Sequence, residues 1–113
     1  MDITEEQLPD AVFKINLAGR MDIEGVGQIE TRLAGMTASP RMAIIVDMSG
    51  VPYMSSIGIR ALLMNAKAVG KRGGRFALLK PEDNVRKVLV TSGIDRIISI
   101  CDDLGDAVAK VKG

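Results

Sequence analysis

The chain has 113 residues, 47% of them hydrophobic and 26% charged, and its net charge is +1. That length suits one domain with its own core, spanning residues 1–113, and the charge balance speaks against nucleic acid or an anionic membrane surface as partner. Aromatics make up 3%, so the core is aliphatic and stacking platforms for single-stranded nucleic acid are missing. Histidine is absent, which removes the commonest general base and metal ligand. The single cysteine, Cys101, has no partner for an internal disulfide, as suits a reducing compartment, and after the apolar run Ile97–Ile100 it reads as a buried, inert thiol. The N-terminus begins acidic and polar, unlike a signal peptide, and the apolar runs fall far short of the roughly 20 residues a membrane span needs. A cytoplasmic location is expected.

Residues 1–8 predict a short edge strand, closed by a turn at Pro9-Asp10. In 11–17, Phe13, Ile15 and Leu17 point one way while Lys14 and Asn16 point the other, a strand with one wet face. Asp22 is placed to cap a helix, whose stripe is Val26, Ile29, Leu33 and Met36. Gly25 and Gly27 weaken its first turn, and Pro40 blocks its continuation. Residues 41–47 are apolar without alternation, as in strands covered on both faces. Residues 49–52 then read as a loop. A helix from about Ser56 turns Ile59, Leu62, Leu63, Ala66 and Val69 inward and ends at Gly70–Gly74, a solvated C-cap rather than a phosphate loop. Residues 75–79 are a further strand, and Pro81 opens a third helix with Val85, Val88 and Leu89 inside. Residues 97–101 form the last strand. A fourth helix follows Asp102-Asp103, with Leu104, Ala107, Val108 and Val111 on one side. The order β-β-α-β-α-β-α-β-α implies an α/β fold with a mostly parallel central sheet of about five strands and an antiparallel N-terminal hairpin. Helices gathered on one face would leave the other free for partners.

Catalytic signatures are poor: no Ser/His/Asp triad and no cysteine pair for a metal can be assembled. The informative stretch is Asp47–Arg60. It places Ser55 and Ser56 where a strand gives way to a helix, and unpaired N–H groups and the helix dipole favour a phosphate there. Either serine could equally be a plain N-cap. Asp22 and Asp47 both fall at the C-terminal edge of the parallel strands, where ligand sites gather. Alternatively, Asp22 caps its helix and Asp47 accepts N–H groups of its loop. Tyr53 could be surface or core, and Ile57 is expected to be partly exposed.

The element order, Leu17-Ala-Gly-Arg-Met-Asp22, the strand-loop-helix stretch Val46–Arg60, Gly73-Gly74 and Ser92-Gly93-Ile94 together resemble the STAS family. Specifically, they resemble its bacterial anti-sigma-factor antagonists, over nearly the whole chain. The resemblance implies partner switching. The unphosphorylated antagonist binds an anti-sigma factor that is also a serine kinase, so that the sigma factor is released. Phosphorylation of a serine opening the second helix abolishes that binding, and a PP2C-like serine phosphatase restores it. Alignment on Gly58 puts Ser56 at the acceptor position and Ser55 where the family often has aspartate, with Ser55 as second choice. Asp22, Met54, Ser55, Ser56, Ile57, Gly58, Ile59 and Arg60 are the implied partner-binding residues. The resemblance implies no catalytic residue, cofactor or metal, and a monomer when free. A nucleotide- or small-ligand-binding module and a non-switching subunit of a signalling assembly are the competing readings.

Overall fold

β1 (Asp2–Leu8) and β2 (Val12–Ala18) form an antiparallel hairpin, and β3 (Ala43–Gly50), β4 (Arg75–Leu79) and β5 (Ser99–Cys101) follow in parallel. The five strands lie in sequence order across one sheet of the computed structural model, which describes residues 1–112. Four helices alternate with them: α1 (Ile23–Met36), α2 (Ser56–Lys71), α3 (Asp83–Thr91) and α4 (Leu104–Lys112). The observed order is the expected one.

The helices divide unequally between the two faces. Val26, Ile29 and Leu33 of α1, Leu62 and Val69 of α2, and Val85 and Leu89 of α3 bury against Ile15, Ile44, Val46 and Leu78. Ala107 and Val111 of α4 bury against Val12, Ile45, Ala77 and Leu79 on the reverse face. β3 is therefore apolar throughout because it is covered twice, as its composition predicts. Each large aliphatic side chain buried in these layers contributes about 1.5–3 kcal/mol.

Several boundaries differ from expectation, each for a local reason. β3 runs on through Ser49 and Gly50, because Gly50 still pairs with Ala18 after a register shift in β2. The second face of β2 is not simply wet: Val12 lies under α4, and Lys14 is mostly buried among polar partners. Pro81 stands ahead of α3, where Glu82 occupies the N-cap position. Ile94–Arg96 form a 3-10 turn, so the last strand shortens to Ser99–Cys101 and Ile97 is 61% exposed. Leu104 opens α4 facing solvent rather than the sheet. The α2 C-terminus is not merely solvated: Arg72 donates to the carbonyls of Thr37, Arg41 and Ala68, tying the ends of α1 and α2 to the start of β3. Cys101 is buried, and burial, followed by the nearby Asp106 carboxylate, pushes its thiol above the usual range. Among the described residues no helix is long and apolar enough to cross a membrane.

Candidate functional site at the start of α2

Two loops meet at the C-terminal edge of the sheet, one leading from β2 to α1 and the other from β3 to α2. Met21 joins them. Its N–H donates to the Tyr53 carbonyl at 2.9 Å, and its carbonyl accepts the Ser55 N–H at 3.0 Å and the Ser55 hydroxyl at 2.9 Å. Met21 and Met54 form an isolated parallel bridge. Above this join the Arg20 guanidinium stacks on the Tyr53 ring, 4.2 Å from its centroid. Tyr53 is thus a surface residue whose face is covered by a cation.

Ser55 has the extended backbone of an N-cap, but its side chain does not cap α2. The hydroxyl is spent on Met21 instead. Ser56 is the first residue of α2, is exposed, and makes no side-chain hydrogen bond among the described residues. The plain-cap reading therefore fails for both serines. The next turn of α2 approaches the join closely. A Cβ at Gly58 would lie 3.0 Å from Met21 Cβ and Met54 Cγ, tighter than ordinary contact.

Asp22 caps α1, accepting the Gly25 N–H at 2.8 Å. That bond, with the Arg20 Nε 3.5 Å from its other oxygen, holds the carboxyl below its usual range. Asp47 does not join this site. Its side chain emerges on the reverse face, where Oδ1 accepts the N–H and hydroxyl of Ser49 at 2.9 and 2.7 Å and Oδ2 lies 3.2 Å from Lys14 Nζ. Burial alone would raise its carboxyl, but the Ser49 bonds and Lys14 outweigh burial and lower it. Of the two readings of these carboxylates, the alternative one holds: Asp22 caps its helix, at the site, and Asp47 accepts the N–H of its own loop, behind it.

Of the residues expected to face a partner, Asp22, Ser56 and Arg60 are accessible, and Ser55, Ile57 and Ile59 are half-buried. Met54 is 4% exposed and Gly58 is buried, so these two shape the loop from inside rather than face a partner. Sequence reasoning missed Ile23, which is 76% exposed, and Met64, which is 64% exposed. With Ile57 and Arg60 they line a shallow groove of about 420 Å³ between α1 and α2. Ile23 stands three residues before Val26, so its spacing suggests an inward position.

The fold and this loop-helix junction define a class: a small α/β domain that presents a serine at a helix start. The chain belongs to the STAS domain family, whose model matches residues 3–107. A homolog of TM1081 from Thermotoga neapolitana is 33% identical over 70 residues, which span 62% of each chain. The anti-sigma-F factor antagonist RsfB of Mycobacterium tuberculosis is 21% identical over 104 residues, covering 92% of this chain and 84% of that one. The solved structure of the anti-sigma factor antagonist SpoIIAA in its unphosphorylated form matches with a TM-score of 0.79 and 25% identity, covering 99% of this chain and 97% of that one. The phosphorylated form of SpoIIAA, a Bacillus cell fate determinant, matches with a TM-score of 0.71 and 23% identity over 96% of this chain and 97% of that one.

Proposed function

We propose that the protein is an anti-sigma-factor antagonist that works by partner switching. The unphosphorylated chain binds an anti-sigma factor with serine kinase activity, so that the sigma factor is released. The kinase then moves the γ-phosphoryl group of ATP to Ser56 Oγ: the bond to the ADP oxygen breaks, the Oγ–P bond forms, and the hydroxyl proton leaves. A serine phosphatase reverses the modification by hydrolysis. The observation that carries this reading is the contrast between the two serines. Ser56 is exposed and its hydroxyl makes no hydrogen bond among the described residues, while Ser55 is committed to Met21. The names of RsfB and SpoIIAA support the same class.

The phosphate adds about 1.5 to 2 negative charges. Beside Ile57 and the exposed Ile23 it must be desolvated when a partner closes over it, and a loss of about 3 kcal/mol weakens binding roughly a hundredfold. Incubation with the cognate kinase and ATP, followed by peptide mass mapping, should place the phosphate on Ser56. Ser56→Glu should lose the kinase while Ser56→Ala keeps it. Phosphate on another residue, or equal binding by both variants, would overturn the reading.

A further inference from the structure

The exposed side of α2 is one-signed. Arg60, Lys67 and Lys71 are all exposed, and the helix contains no acidic residue from Ser56 to Lys71. None of the three enters an ion pair among the described residues. Arg60 stands four residues after Ser56. Residues at that spacing are neighbours on a helix surface, and an acidic group N-terminal to a basic one is the favoured orientation. Long helical side chains lean back over the preceding turn, which for Arg60 is the turn that starts at Ser56. Arg20 and Asp22, the charges nearest the join, are engaged: Arg20 lies over Tyr53 and beside Asp22, and Asp22 caps α1. Glu30 lines the same groove as Arg60 but makes no ion pair with it.

We propose that Arg60 is the built-in counter-ion of the switch: it holds the phosphate once Ser56 is phosphorylated and is thereby withdrawn from the surface a partner meets. This rests on the reading of Ser56 as acceptor. The dianion has two sources of stabilisation on its own chain, the N–H groups opening α2 and the Arg60 fork, which suits phosphate geometry. A partner that contacts Arg60 in the unphosphorylated protein then loses that contact when the phosphate arrives. Arg60 is a positioning residue here, not a catalytic one.

The test needs no kinase. Phosphoserine is installed at position 56 during synthesis, and the second phosphate ionisation is followed by 31P NMR against pH. The phosphate should titrate lower in the otherwise wild-type chain than in Arg60→Gln, by roughly 0.3 pH unit. Arg60→Lys should recover part of that difference, and 1 M salt should shrink it to near zero, with roughly a 3 Å screening length. Equal midpoints with and without Arg60 would overturn the proposal, as would a rise produced by Arg20→Gln in its place. Arg60 makes no ion pair and no side-chain hydrogen bond among the described residues, so urea unfolding should show the variants equally folded. Failure of the kinase to modify Ser56 would sink the proposed function and leave this titration intact; equal midpoints would sink Arg60 and leave the phosphorylation intact.

Discussion

Ser55 and Ser56 are adjacent hydroxyls in opposite settings, one hydrogen-bonded and half-buried, the other exposed. Removing the Ser55 hydroxyl deletes a 2.9 Å bond that ties the start of α2 to the β2–α1 loop. Ser55→Ala should therefore destabilise the fold by about 1 kcal/mol, the net worth of a typical hydrogen bond. Ser56→Ala deletes a hydroxyl with no partner among the described residues and should change stability by less than about 0.5 kcal/mol. Paired urea denaturation curves check both; equal losses would mean that Ser56 caps α2 after all. From residue types alone the two serines are indistinguishable, because both satisfy the composition of an N-cap. What separates them is the Met21 carbonyl, 34 residues away from Ser55, and no local pattern encodes that contact. Resemblance to the family implies Ser56 as the acceptor, and Ser56 is the more exposed of the two.

At the scale of the element, α1 shows how two similar glycines differ. A Cβ on Gly25 would lie 1.9 Å from the Arg20 carbonyl oxygen, whereas a Cβ on Gly27 would meet nothing within 4 Å. The first glycine is thus part of the site. It lets the Arg20–Asp22 loop fold tightly against the turn that Asp22 caps. The second is a weak spot of the helix, as its sequence suggests. Gly25→Ala should destabilise by about 2 kcal/mol or more through backbone overlap. Gly27→Ala should stabilise by up to about 1 kcal/mol, because an exposed helical glycine gives way to the best helix former. Thermal unfolding of the two variants checks the pair; a neutral Gly25→Ala would show that the loop can move away from the helix. Helix stripes and strand alternation made most elements legible, since periodicity reports burial directly. The ends were less legible. β3 outruns its apolar core because backbone pairing with Ala18 continues beyond the hydrophobic run, and Leu104 keeps the stripe spacing yet stands exposed at a helix start.

Across the whole molecule, the unequal division of helices separates two kinds of surface. Which face each helix takes could not be read from β3: Ile44 and Val46 on one side are as apolar as Ala43 and Ile45 on the other, so the strand reports double burial without direction. α4 covers only part of the reverse face. Beyond it lies the Lys14–Asp47 pair, with Glu6 and Asn16 completing the Lys14 shell at 3.2 and 2.7 Å. This cluster joins β1, β2 and β3, on the face away from the proposed switch. Asp47→Asn should cost about 2 kcal/mol, because it removes a charge-assisted set of bonds and leaves Lys14 without its partner on β3. The pH dependence has a definite sign. The Asp47 carboxyl is depressed in the native state, so the unfolded chain binds the proton first. Its stabilisation is complete above the unfolded value of about 3.9 and is lost as pH falls through the lower native value. Urea midpoints between pH 7 and 2.5 should therefore drop less steeply below pH 4 in Asp47→Asn than in the wild type, while the extent of Ser56 phosphorylation by the cognate kinase stays unchanged at neutral pH. Parallel acid profiles would mean that Asp47 contributes no proton linkage. A change in phosphorylation at neutral pH would mean that the two faces are coupled through β3, against the separation that the two cores imply.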